Sequence, residues 1–186
     1  MSTDLPRYIL KEIQLKNGQQ LILRRPIIED AEKMIEYLNI VGGESENLLF
    51  GKDEFRLTIE QEMKHIKSIS NNANIIMILG IIDNNIVSIA QISSSSKKRI
   101  EHNSEVAISV KKDYWKKGIG SNVMGELIRL AKEHCIIKNI SLGVKASNKN
   151  AIMMYEKFDF KKVGIHKDYF NVNGNYDDEI LMDLYI

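Results

Sequence analysis

Hydrophobic positions change their period along this chain, and the changes mark the elements. Apolar residues at Tyr8, Leu10, Ile13 and Leu15 stop at Asn17-Gly18 and resume at Leu21, Ile22 and Leu23. Asn-Gly between two such runs is a tight-turn signal, so the opening predicts a hairpin. From Asp30 to Val41 the spacing becomes helical, at Ala31, Met34, Ile35 and Leu38. The same period returns over Thr58 to Ile69, with Ile59, Met63, Ile66 and Ile69. Thr58 is placed to cap that helix and Gln61 to complete a capping box. Ile75 to Ile82 is then a continuous apolar run, broken at Asp83-Asn84-Asn85 and resumed over Ile86 to Ile92. This predicts two buried strands joined by a tight turn.

The second half repeats the alternation of periods. Glu105 to Val110 predicts a strand with Val106, Ile108 and Val110 on one face. Ile119, Val123, Leu127, Leu130 and Ala131 form a helical stripe, Ile140, Leu142 and Val144 a strand, and Ala151 to Phe158 a short helix. Phe160 to Phe170 and Glu179 to Tyr185 read as a closing antiparallel pair around Asn173-Gly174. Strands followed by helices and then strands again imply a mixed α/β (α+β) fold whose sheet is partly parallel at its centre. The unit from Glu105 to Val144 has the form of a right-handed strand–helix–strand crossover.

Composition narrows the class. A chain of 186 residues with 44% hydrophobic and 27% charged residues is expected to be one globular domain over 1–186. The formal net charge of +1 provides no global field for nucleic acid or a membrane surface. One cysteine, Cys135, permits no internal disulfide and no multi-cysteine metal site. The polar start Met1-Ser2-Thr3-Asp4 is unlike a signal peptide, and no apolar run reaches the ~18 residues of a membrane span, so a cytoplasmic protein is expected. His65, His134 and His166 show no ligand spacing, and no metal is expected. Cys135 is expected on the helix that begins at Gly118, as a small buried hydrophobe.

The chemistry concentrates between Lys111 and Ser121, a segment that leaves a predicted strand and opens a predicted helix. Lys111, Lys112, Lys116 and Lys117 stand against Asp113, and Gly118 and Gly120 allow close backbone approach. A helix N-terminus with free N–H groups and a positive dipole end suits an anion, above all a pyrophosphate. The segment is not a Walker A loop, which needs Gly-x-x-x-x-Gly-Lys-Ser/Thr. It is not a dinucleotide fingerprint either, because Val123 stands where the last glycine belongs.

A second segment, Asn148 to Phe160 (Asn-Lys-Asn-Ala-Ile-Met-Met-Tyr-Glu-Lys-Phe-Asp-Phe), follows the strand ending near Val144. The ordered pair of segments resembles the GNAT superfamily of acyl-CoA-dependent N-acyltransferases, over nearly the whole chain. The first is similar to that family's pyrophosphate loop, Gln/Arg-x-x-Gly-x-Gly/Ala, and the second to its Asn-x-x-Ala-x-x-x-Tyr-Glu-Lys-x-Gly-Phe element. Trp115 occupies the Gln/Arg position, which resembles the branch of ribosomal-protein N-terminal acetyltransferases and related small-molecule enzymes. Asp159 replaces the usual glycine, in a place where a left-handed residue is expected and Asp is tolerated.

The resemblance implies a sheet of about seven strands with about four helices, splayed at the central parallel pair. It implies acetyl-CoA as co-substrate and direct transfer of the acetyl group to a primary amine on a small molecule or peptide. Main-chain N–H groups of Gly118, Ile119, Gly120 and Ser121 would hold the pyrophosphate, with Lys116 and Lys117 adding charge. Asn148 would bond the pantetheine arm or cap its helix, Lys157 would reach the ribose phosphate, and an N–H near Val110 would face the thioester oxygen. Tyr155 would protonate the departing thiolate, because a phenol at hydrogen-bond distance supplies that proton. Glu105 is the first choice for the base, with Glu101 and His102 as competitors. Glu44, Phe50, Phe55 and Asp177 are weaker choices for lining the acceptor pocket. A homodimer is compatible with the family.

Two rivals have other chemistry. A non-catalytic acyl-CoA-binding module would keep the loop but need neither Tyr155 nor Glu105. A nucleic-acid-binding domain would use Lys97–Arg99 and Lys111–Lys117, against which the net charge argues. A serine hydrolase lacks its Gly-x-Ser-x-Gly elbow.

Overall fold

A computed structural model describes residues 8–186; the polar start at Met1–Asp4 lies outside the described residues. Strands β1 (Ile9–Gln14) and β2 (Gln20–Arg24) form the opening hairpin, turned at Gly18. Helices α1 (Ala31–Glu44) and α2 (Ile59–Ser70) follow, then β3 (Ile75–Ile82), β4 (Asn85–Ser94) and β5 (Asn103–Val110). The rest is α3 (Ile119–Glu133), β6 (Asn139–Lys145), α4 (Lys149–Lys157), β7 (Lys161–Val172) and β8 (Asn175–Tyr185). The sheet has eight strands in the order β1-β2-β3-β4-β5-β6-β8-β7, one more than the motifs suggest.

Local chemistry explains the element ends. Thr58 Oγ1 accepts from Gln61 N–H while Gln61 Oε1 accepts from Thr58 N–H, so the expected capping box forms. Asp83 and Asn84 both lie at positive φ, as do Asn173 and Gly174, which suits two-residue turns that match strand twist. Asp159 has φ 68°, the left-handed residue that ends α4.

Side-chain alternation gives the sheet two covered faces. On one, α3 and α4 bury Ile119, Val123, Leu127 and Ile152 against Ile78, Ala90, Val106, Ile140, Leu142 and Met182. On the other, α1 and α2 bury Met34, Tyr37, Val41 and Ile66 against Met77, Leu79 and Ile89. Burying each large aliphatic side chain contributes ~1.5–3 kcal/mol. At the α1 end Arg24 grips buried Asp30 through two bonds of 2.6 Å, and Asp30 also accepts from Ile27 N–H.

The sheet is continuous except at one seam. The parallel pair β5·β6 is joined only at Asn103↔Asn139, Ser104↔Ile140 and Glu105↔Ser141, after which the strands diverge. Cys135 departs from expectation. It sits beyond the end of α3, is exposed, and is not part of the core. No helix among the described residues is long and apolar enough to cross a membrane.

Candidate functional site

The gap between β5 and β6 is lined by main chain that the sheet ladders leave unpaired. Lys111 N–H donates to Val87 O, which fixes the alternation of the β4·β5 ladder. Glu105, Ala107 and Ser109 turn their main-chain groups to β4, so Val106, Ile108 and Val110 turn theirs into the gap. Ala146 N–H donates to Asp178 O, and the same reasoning on β6·β8 directs Gly143 and Lys145 into the gap from the other side. Val110 O accepts from the Trp115 indole at 2.7 Å. That bond gives Trp115 a structural role where the family uses Gln or Arg. Ile108, whose N–H also faces the gap, is a residue the motifs do not point to; only strand register reveals it.

At the open end of the gap the chain turns into α3. Lys116 (φ 60°) and Gly118 (φ 82°) are left-handed on either side of Lys117. Alternating hand of this kind turns successive N–H groups to one side and makes an anion-binding concavity. Asn122 N–H makes the first helical bond, to Gly118 O. Among the described residues, no main-chain acceptor meets the N–H groups of Lys116 through Ser121. A Cβ at Gly120 would lie 3.2 Å from Met154 Sδ and 3.9 Å from Val110 Cγ2, so the start of α3, the middle of α4 and the end of β5 converge there. Lys116 is exposed. Lys117 Nζ lies 4.8 Å from the centre of the Tyr114 ring, a cation–π contact that occupies this ammonium.

The two predicted helix residues lie at the N-cap of α4 and within it. Asn148 caps α4 through Oδ1, which accepts from Ala151 N–H at 3.3 Å, and leaves its amide Nδ2 free among the described residues. Tyr155 is buried against Phe160, with ring centres 5.8 Å apart. Burial pushes its phenol up to about 12, and no hydrogen bond offsets that effect. Lys157 is exposed in the last turn of α4.

The opposite face of the sheet carries the acidic groups. Glu105 is exposed there, at the last rung before the strands part. Glu101 and His102 lie in the turn before β5, at the closed foot of the seam. Glu44 Oε2 accepts from Lys112 N–H at 2.9 Å and ties α1 to the loop. Asp177 accepts from Ser147 and Asp178 N–H groups; the Ser147 bond, chief among these, holds its carboxyl below the usual range. Phe50 and Phe55 pack together at 6.4 Å in the connection between α1 and α2. Of the four residues expected to line the acceptor pocket, only the two aromatics touch; Glu44 and Asp177 brace main chain.

Comparison with known proteins bears on the fold and the family. An N-alpha-acetyltransferase of Saccharolobus solfataricus is 26% identical over 153 residues, 82% of this chain and 87% of that protein. A GNAT-family acetyltransferase of Streptococcus pneumoniae superposes with a TM-score of 0.86 at 27% identity, covering 89% of this chain and 99% of its own. The fold is shared, at 13% identity and a TM-score of 0.77, by yncA of Salmonella typhimurium, solved with its cofactor acetyl-CoA; 89% of this chain and 93% of that one are covered. The model of the acetyltransferase (GNAT) family matches residues 45–160, a span running from the end of α1 through the loop before α3 to the turn after α4, and the chain belongs to that family.

Proposed function

We propose that this enzyme transfers the acetyl group of acetyl-CoA directly to a primary amine, and that an α-amino group is the first acceptor to test. The observation that carries this reading is the continuity of the open β5·β6 gap with the N–H cradle at Lys116–Ser121. A pyrophosphate at that cradle meets a row of donors and the positive end of α3. A pantetheine arm, with its two amides, suits a gap walled by the free N–H of Val110 and the main chain of Gly143, with Asn148 Nδ2 beside α4. The acetyl-CoA carried by the Salmonella protein of the same fold supports this choice of co-substrate. The name of the Saccharolobus relative supports an α-amine.

The chemistry then divides between the faces of the sheet. The amine attacks the thioester carbon, the C–N bond forms and the C–S bond breaks. Ile108 and Val110 N–H groups face the gap and are positioned to stabilise charge on the carbonyl oxygen. Tyr155, on the α3–α4 face, donates a proton toward the departing sulfur. An alkylammonium has a pKa near ~10 and must lose a proton before it attacks. Glu105, on the other face and open to water, provides the exit for that proton. Calorimetric titration with acetyl-CoA, against ATP and NAD, tests the cradle; thiol release with L-amino acids and short peptides tests the reaction. Micromolar binding of acetyl-CoA alone supports the reading, and equal binding of all three would refute it.

A further inference from the structure

Where β5 and β6 part, both strands carry small residues toward the α1–α2 face: Ala107 on β5 and Gly143 on β6, each exposed. The wall of this throat is Glu179. Its residue is 7% exposed, and its side chain reaches diagonally across the sheet from β8. A Cβ added to Gly143 would overlap the Glu179 carboxylate. The glycine is therefore the cradle in which this acid lies.

One carboxylate oxygen, Oε2, is held by His166 Nδ1 at 2.9 Å, across the β7·β8 ladder. The other, Oε1, has no protein partner among the described residues. It is also not sealed, since buried polar side-chain atoms without partners are there confined to Asn39, Glu62, His134 and Asn139. The charged groups facing it complete the setting. Lys145, its ladder partner on β6, has its Nζ 3.8 Å from Glu46 of the α1–α2 connection. Asp177 precedes it on the same face of β8, and Glu105 lies on the same face of the sheet, on β5. Negative charge prevails, and one oriented oxygen is left open beside the gap.

We infer that Glu179, oriented by His166 and seated on Gly143, receives the ammonium of the acceptor and holds it at the mouth of the β5·β6 gap. This rests on the acetyltransferase reading above and assigns its acceptor site. An ammonium on Oε1 gains a charge-assisted bond that a neutral alcohol of the same shape does not. His166 donates from Nδ1 to Oε2 and so fixes which carboxylate oxygen is held and which is left open.

The test reads docking without turnover. Protein saturated with coenzyme A is titrated with propylammonium, and with propanol as the neutral control, while NMR follows the Gly143 amide and the His166 ring. Saturable shifts at both signals are expected with propylammonium alone. Glu179→Gln, which keeps the shape, and Gly143→Ala, which displaces the carboxylate, are each expected to weaken the response at least tenfold. Binding of acetyl-CoA in Glu179→Gln should stay within twofold of the wild type. The inference is overturned if propanol shifts the same signals equally, if either variant responds as the wild type does, or if the shifts centre on Glu105 and Ser93. Failure of the wild type to bind coenzyme A would instead overturn the acetyltransferase reading on which the inference rests. In steady state with any accepted amine, Glu179→Gln should raise its KM with little change in kcat, a split that loss of folding would not produce.

Discussion

Replacing Tyr155 with Phe removes one oxygen and nothing else from a packed position. The phenol is buried, its ring rests on Phe160, and its pKa is pushed up to about 12 by burial alone. A hydroxyl with no partner contributes little to stability, so Tyr155→Phe should melt within about 1 kcal/mol of the wild type near neutral pH. Turnover should nonetheless fall, by ~10²–10⁴-fold if the phenol supplies the proton to sulfur. The pH dependence adds a second reading. The folded pKa lies above the unfolded value of 10.0, so the neutral phenol's contribution is fully present below pH 10 and is lost as pH rises through about 12. The wild type should therefore lose about 2 kcal/mol relative to Tyr155→Phe by pH 11.5, from ~1.36 kcal/mol per pH unit. Urea titrations of both proteins at pH 8 and pH 11.5 measure this difference, and other titrating groups cancel in it. A stability difference that stays flat over this range would refute the burial argument. Thiol release within twofold of the wild type would refute the acid role.

Three further outcomes follow from the same geometry. Asn148→Ala removes the α4 cap and should cost ~1 kcal/mol, visible as a lower melting temperature, while also weakening acetyl-CoA in calorimetry. Lys117→Ala should change acetyl-CoA affinity less than threefold, because its ammonium already sits over Tyr114, whereas Gly118→Ala, forced at φ 82°, should weaken it at least tenfold. Asp30→Asn strips the charge partner from the half-sequestered guanidinium of Arg24 and should cost about 3 kcal/mol in urea unfolding, with the loop and its ligand binding untouched.

The parts of this fold that were legible in the sequence are those fixed by near neighbours. The Thr58–Gln61 box, the turns at Asp83-Asn84 and Asn173-Gly174, and the left-handed Asp159 each depend on a few consecutive residues. The run of six successive N–H groups at Lys116–Ser121 was legible for the same reason, since it too depends on consecutive residues. Glu179 and Ile108 were not, because their roles come from register between strands. Glu179 meets Gly143 only through the β6·β8 alignment and His166 only through a bulged hairpin. Glu44 and Asp177 read as acceptor-facing acids because charge is visible in a sequence and hydrogen bonding to Lys112 and Ser147 is not. Cys135 was misplaced by two residues of helix, enough to move it from the core to the surface.

The short parallel seam has a mechanical consequence. Three rungs join the halves of the sheet, and parallel pairing is the weaker kind per residue. A ligand whose amides bridge Val110 to Gly143 would supply the rungs that the strands lack, and would act as a removable cross-tie. The apo protein should then exchange the amide hydrogens of β6 and β8 faster than those of β3 and β4. Saturation at a hundredfold excess over Kd, which adds ~2.7 kcal/mol to the folded state, should slow exchange first on both banks of the gap. In this architecture the co-substrate would serve as a tension member of the sheet as well as a reagent.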